Sequence, residues 1–267
     1  MIKRPRRLVL LGRSLGHSLS PRFQNAALRR AGLEITYETL DVAPSALDRT
    51  LEVLGREEAA GNVTIPYKEQ VFERCDRLTP TARRAGAVNT FWFEHGELVG
   101  ENTDVGGFAS AAEQLLGDAP HEATIGVLGA GGAAAAVLTA VERWSDCRVL
   151  VQNRTAERSD ALCARFSSVA RSSDVEEIAH TADLVVNATS VGLRDDALPI
   201  DPALLQPEAA VLDIVYRPGG THLVQAARAL GLRAADGLVM LVEQGALAFE
   251  RWFGFPPDRD AMWAALR

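Results

Sequence analysis

Apolar residues along this chain follow two rhythms. Short continuous runs rich in Val, Ile and Leu read as strands buried on both faces, and residues spaced three and four apart read as helices with one apolar stripe. The first run, 8–12, closes on Gly12, and a loop leads to Ser20-Pro21. Serine at the N-cap and proline at N1 start a helix there. Phe23, Ala27, Leu28 and Ala31 form its apolar face, and Gly32 stops it. A second strand is expected over 35–42. Ser45 is expected to cap a helix carrying Leu47, Leu51 and Leu54. A third strand, 61–65, ends at Pro66, and 67–75 reads as helix. Strands over 87–93 and 98–99 flank a turn at His95-Gly96, followed by a 105–116 helix with Phe108, Ala112 and Leu115 on one face.

From Ile125 onward the two rhythms alternate. Strands are expected at 124–128, 148–152, 184–188, 210–216 and 232–234, with helices between them. Asp174 with Glu177 has the form of a capping box, Thr221 is a candidate N-cap and Pro202 sits at a plausible N1. After Asp236-Gly237 an apolar helix, 238–252, precedes Pro256-Pro257 and a short last helix. Strand–helix alternation predicts parallel strands with right-handed crossovers and helices on both faces. The expected fold is α/β in two domains. Residues 1–104 with 239–267 form an α/β unit, residues 105–238 form a Rossmann-type unit, and a cleft lies between them.

The run at Ile125, Val127 and Leu128 breaks into Gly129, Ala130, Gly131, Gly132 and Ala133 and then becomes alanine-rich. A strand, a tight glycine turn and a helix N-terminus suit a pyrophosphate, because the backbone can approach closely and the first helical N–H groups are free. Ala134 stands where a third glycine often serves close packing. The next strand ends in Asn153-Arg154-Thr155, with Arg158 one turn on. An acidic residue at that point reads a ribose 2′-hydroxyl; arginine favours a 2′-phosphate, hence NADP over NAD.

Composition narrows the classes. The chain has 267 residues, 47% hydrophobic and 24% charged, with net charge −7. That is ordinary for a globular protein and argues against nucleic acid as the main partner. Three separated cysteines, Cys75, Cys147 and Cys163, offer neither a disulfide framework nor metal-ligand spacing. No metal is expected, and a cytoplasmic setting fits. The basic start, residues 1–7, reads as a solvated tail before the first strand, and no segment approaches a membrane span. Trp252, Phe253 and Phe255 are expected to pack on the core or on a partner, and a homodimer stays open.

Polar residues recur just past the strand ends of the first unit: Ser18, Ser20, Asn62, Thr64, Lys68, Asn89, Asn102 and Asp104. Each has a plainer reading. Ser20 caps a helix, Asn62 and Asn89 satisfy loop backbone, Asp104 caps the 105–116 helix and Lys68 is a solvated cation. Their convergence from separate strands favours a site.

These residues carry a resemblance. Gly16-His17-Ser18-Leu19-Ser20-Pro21, Asn62-Val63-Thr64-Ile65-Pro66-Tyr67-Lys68, Gly86-Ala87-Val88-Asn89-Thr90 and Asn102-Thr103-Asp104 resemble segments of the shikimate dehydrogenase family. So do the glycine turn, Asn153-Arg154-Thr155, Asn187-Ala188-Thr189-Ser190-Val191-Gly192 and Asp236-Gly237 with Met240-Leu241, in the same order. The resemblance implies NADPH-dependent reduction of 3-dehydroshikimate to shikimate, in chorismate and aromatic amino-acid biosynthesis. It implies Lys68 and Asp104 as the catalytic pair, and Ser18 with Ser20 on the substrate carboxylate. Thr64, Asn89, Asp104 and Gln244 then serve the ring hydroxyls, with Tyr216 at the substrate's edge. Gly129, Ala130, Gly131, Gly132 and Ala133 serve the pyrophosphate, and Asn153, Arg154, Thr155 and Arg158 clamp the adenosine phosphate. Ile214 and Gly237 lie near the nicotinamide. Two positions depart from the pattern: Ala134-Ala135 where many members have an arginine, and Ser14 where proline is usual. The alternatives are a dual quinate/shikimate dehydrogenase, a non-catalytic nucleotide-binding paralogue, and a scaffold with a purely structural glycine turn.

Overall fold

The computed structural model describes residues 4–267, so the first three residues of the basic start lie outside the described residues. The chain forms two units. One runs to Gly107 and resumes at Leu241–Arg267; the other is Phe108–Met240.

The first unit opens with β1 (Arg7–Gly12), α1 (Ser20–Arg30), β2 (Tyr37–Asp41), α2 (Leu47–Arg56), β3 (Ala59–Val63) and α3 (Lys68–Arg74). It continues through β4 (Arg77–Leu78), α4 (Pro80–Ala85), β5 (Thr90–Glu94), β6 (Glu97–Glu101) and α5 (Asp104–Leu116). The sheet order is β2-β1-β3-β5-β6-β4. β1 pairs parallel with β2 and β3, whereas β5 runs antiparallel to both β3 and β6. Leu8 and Leu10 face one cluster, with Phe23, Val242, Phe249, Trp252 and Met262; Val9 and Leu11 face the other, with Leu47, Leu51, Leu54 and Val71. The period of two along β1 therefore buries both faces under helices.

The second unit continues α5 and adds β7 (Thr124–Leu128), α6 (Gly132–Val141), β8 (Arg148–Gln152), α7 (Ala156–Arg165), β9 (Ala170–Ser172) and α8 (Val175–Thr181). Then come β10 (Leu184–Asn187), β11 (Ala210–Asp213), α9 (His222–Ala229), β12 (Arg233–Ala235) and α10 (Leu238–Phe253); α11 (Arg259–Ala264) ends the chain in the first unit. The order β12-β11-β10-β7-β8-β9 is parallel throughout, the doubly wound Rossmann arrangement, with its switch point between β7 and β10. The chain passes between units inside α5 and α10.

Several local expectations shift. α1 begins at Ser20 itself, with Leu19 at the N-cap and no side-chain cap, so Ser20 does not cap its helix. Ser45 does not cap either: it lies in a short 3-10 turn, and Ala46 precedes α2. The third strand lies two residues earlier than 61–65, because Ile65 is 66% exposed in the loop beyond it. β5 starts at Thr90, leaving 87–89 as loop, and β11 ends at Asp213, leaving Ile214, Val215 and Tyr216 as loop. Asp174 caps α8 by accepting from the Glu177 N–H, but the Glu177 carboxylate pairs with Arg171, so the reciprocal half of the box is not made. Trp252 is fully buried, and Phe253 and Phe255 pack against the same core. Among the described residues no helix is long and apolar enough to cross a membrane.

Candidate active site

The loops after β1 and β3 run side by side, joined by Thr64 N–H to Leu11 O at 2.9 Å and Arg13 N–H to Ile65 O at 3.1 Å. Parallel neighbours in an open sheet deliver their following loops to the same edge. Ser18, Ser20 and Thr64 sit on these segments. Ser18 Oγ accepts the Ser20 N–H at 3.3 Å, which leaves the Ser18 hydroxyl proton free to donate. Ser20 is buried and its hydroxyl is not spent on a cap. Ser14 has φ 57 and donates its N–H to Asp41 Oδ2 at 2.7 Å. Proline, with φ fixed near −65° and no N–H, could do neither, so this loop's anchoring to Asp41 depends on a residue other than proline at position 14.

Lys68 opens α3, Asn89 precedes β5, Asp104 opens α5 and Gln244 lies on α10. Lys68 Nζ stands 2.6 Å from Asp104 Oδ2, with the two side chains 19% and 7% exposed. Asn89 Nδ2 donates to Asp104 Oδ1 at 2.8 Å and to Gln244 Oε1 at 3.3 Å. Gln244 Nε2 in turn donates to Leu241 O at 2.8 Å. The Asp104 carboxylate is therefore engaged by side chains. The hairpin β5–β6 explains how Asn89 and Asp104 meet, since they flank its open end. Behind them, Tyr37 Oη donates to Asn62 Oδ1 at 2.8 Å, and Asn62 Nδ2 donates to Asn89 O at 3.1 Å and Thr90 Oγ1 at 3.0 Å. Burial pushes the Tyr37 phenol well above its ordinary range, so it remains a donor. Among the described residues no hydrogen bond joins Ser18, Ser20 or Thr64 to the Lys68–Asn89–Asp104–Gln244 cluster.

In the second unit Gly129 has φ 112, and a Cβ there would meet Ala188 O at 2.9 Å. The turn after β7 thus lies directly against the loop after β10, at the switch point. Gly131 is the N-cap of α6 and has open space around it, with no side-chain cap. Gly132 starts the helix, and Ala130 and Ala133 flank these glycines half-buried. Asn153 Nδ2 donates to Thr155 O at 2.8 Å, closing the turn after β8, and Arg154, Thr155 and Arg158 are exposed. Free helix N–H groups reached over a bare glycine, with two exposed guanidiniums one strand away, fit a dinucleotide phosphate.

Asp213, at the end of β11, is not among the candidates that the sequence suggests. Its Oδ1 accepts from Asn187 Nδ2 at 2.8 Å and Val215 N–H at 3.0 Å, while Gly237 N–H donates to Val215 O at 3.1 Å. These bonds hold the loop carrying Ile214 and the half-buried Tyr216. Burial pushes the Asp213 carboxyl up despite these donors. Thr221 faces the carboxylate too, but Oδ2 has no aligned hydrogen bond. The available signal was an acidic residue ending an otherwise apolar strand.

A doubly wound sheet with a bare glycine turn, and elsewhere in the chain a shielded ammonium–carboxylate pair among amides, define a dinucleotide-linked oxidoreductase. The sequence matches the shikimate dehydrogenase substrate binding domain over residues 10–91, the shikimate/quinate 5-dehydrogenase model over 110–193 and the shikimate 5'-dehydrogenase C-terminal domain over 237–267. It is 40% identical to a shikimate dehydrogenase (NADP(+)) of Mesorhizobium japonicum, covering 100% of this chain and 97% of that one. The structure resembles that of shikimate 5-dehydrogenase from Thermus thermophilus in complex with NADP(H) and shikimate, with TM-score 0.89, 42% identity and 97% of each chain covered. It also resembles quinate dehydrogenase from Corynebacterium glutamicum in complex with NAD, with TM-score 0.89, 29% identity and 99% of each chain covered. The chain belongs to the shikimate dehydrogenase family.

Proposed function

We propose that this protein catalyses the NADPH-dependent, reversible reduction of 3-dehydroshikimate to shikimate. The observation that carries the reading is the Lys68–Asp104 pair at 2.6 Å, shielded and flanked by Asn89 and Gln244. NADPH, when bound, supplies the hydride. Reduction of a ketone leaves an oxygen that must gain a proton, and the Lys68 ammonium is the group that stabilises that oxygen and donates to it. Asp104, 2.6 Å from the ammonium, holds it aimed, so the two work as one unit. Ser18 and Ser20 donate to the substrate carboxylate. Thr64, Asn89, Asp104 and Gln244 pair the ring hydroxyls, and Tyr216 lies at the substrate's edge. A polyol suits such a set, because a ligand lacking a hydroxyl leaves a buried polar group unmatched.

Gly129, Ala130, Gly131, Gly132 and Ala133 would hold the pyrophosphate. Asn153, Arg154, Thr155 and Arg158 would hold the adenosine phosphate, and Ile214 and Gly237 the nicotinamide side. The quinate reading draws on the family model shared with quinate dehydrogenases; the two exposed arginines after β8 favour NADP and the shikimate reading. The test is oxidation of NADPH with 3-dehydroshikimate, then kinetics of NADP and NAD with shikimate and quinate. Expected are turnover with 3-dehydroshikimate, preference for NADP and shikimate, and a KM for NADP that rises selectively in Arg154→Ala. No NADPH oxidation would end the proposal, and preference for NAD would end the 2′-phosphate argument.

A further inference from the structure

Asn89 presents its amide to the reacting pair in one orientation only. Its Oδ1 faces Thr103 N–H at 2.7 Å, Thr90 Oγ1 at 3.0 Å and Thr103 Oγ1 at 3.1 Å. Its Nδ2 faces Asp104 Oδ1 and Gln244 Oε1. Turned over, the amide would set N–H against N–H at Thr103 and a carbonyl against a carboxylate. The two threonine hydroxyls also touch each other, at 2.9 Å, and Asn62 Nδ2 donates into Thr90 Oγ1. With that donor fixed, the hydroxyl protons of Thr90 and Thr103 can point only at each other or at Asn89 Oδ1, so at least one always reaches Asn89. Thr90 has no freedom to leave: it is fully buried, in register with Asn62 of β3 on one side and Glu101 of β6 on the other. Thr103 is 4% exposed.

We propose that the Thr90 and Thr103 hydroxyls are positioning groups that hold the Asn89 amide toward Asp104, and so set the geometry of the Lys68–Asp104 pair. The inference rests on the proposed role of that pair. A buried hydroxyl pair donating through a fixed asparagine does more than stabilise a strand, because its effect must pass through Asn89. A double-mutant cycle tests that route.

The variants are Thr90→Val/Thr103→Val, the same change in an Asn89→Ala background, and Thr90→Ser/Thr103→Ser. Valine keeps the shape and removes the hydroxyl; serine keeps the hydroxyl. Expected is a fall of roughly tenfold in kcat/KM for shikimate with valine, the worth of about one buried hydrogen bond, with KM for NADP unchanged. Recovery with serine and no further loss in the Asn89→Ala background are expected. Should the double valine variant not fold, Thr90→Val and Thr103→Val singly carry the same cycle with smaller losses, since each hydroxyl can cover for the other. Unchanged activity with valine, losses that add to Asn89→Ala, or serine variants as impaired as valine would overturn the inference. An inactive unmutated protein would instead overturn the proposed function.

Discussion

Removal of the Lys68 ammonium separates catalysis from binding. In Lys68→Ala the carboxylate of Asp104 keeps the Asn89 donor at 2.8 Å but loses its ammonium at 2.6 Å. The neutral amides of Asn89 and Gln244 have no proton to give at neutral pH. General acid–base catalysis by one positioned group is worth about 10²–10⁴ in rate. At about 1.4 kcal/mol per decade, that is roughly 3–5 kcal/mol of barrier. The shielding of the pair places the expected loss in the upper half of that range, since water replaces a half-buried, aimed proton donor poorly. KM for shikimate should rise by less, about tenfold, one hydrogen bond's worth. Asp104→Asn should lose a comparable amount, and the double variant little more than either single, because members of one unit fail together. Initial rates of NADPH formation at saturating and limiting shikimate measure this, with circular dichroism to check folding. Turnover within about threefold of the unmutated enzyme, or strictly additive losses, would refute the reasoning.

Gly131→Ala, at φ −98 with open space around its Cβ position, should fold as the unmutated protein does and raise KM for NADP selectively. Gly129→Ala, at φ 112 with Ala188 O at 2.9 Å, should lower the melting temperature as well; a thermal melt beside NADP titration separates the two, and equal melting temperatures would count against the tight approach of Gly129 to Ala188. Asp213→Asn should change the pH dependence of stability. Burial raises the Asp213 carboxyl, so the folded state holds a proton that the unfolded chain releases. Its ionisation therefore costs stability as pH rises through the raised value, and the whole cost is present above it. The variant should gain in melting temperature at about pH 8 and gain less at about pH 4; a pH-independent difference would contradict this.

The strands of the second unit were legible because their apolar runs are continuous. Val149, Leu150 and Val151 mark β8, and the expected and observed bounds of β7 and β8 coincide. β9 was not legible: Ala170, Arg171 and Ser172 have no strand signature and are held only by pairing with β8. Ile65 misled in the opposite direction, a β-branched residue that extends past its strand into solvent. Lys68 and Asp104 stood out through their motifs, and their side chains do meet. Thr90 and Thr103 stood in the same motifs without a role, since a threonine next to a strand looks like a strand former until its hydroxyl is seen to face an amide. Asp213 was hidden for a related reason: it shows in the sequence only as an acidic residue ending an apolar strand, and the Asn187 amide and the backbone N–H two residues on that it holds are visible only in the fold.

The hairpin β5–β6 divides its work by position. Asn89 and Asp104 sit at its root, while His95 and Gly96 turn the chain at the far end, exposed and with φ 55 and 87. Length added at that apex leaves the cross-strand register of Thr90 with Glu101 untouched. A fluorophore or affinity handle inserted there would report on the enzyme from a distance.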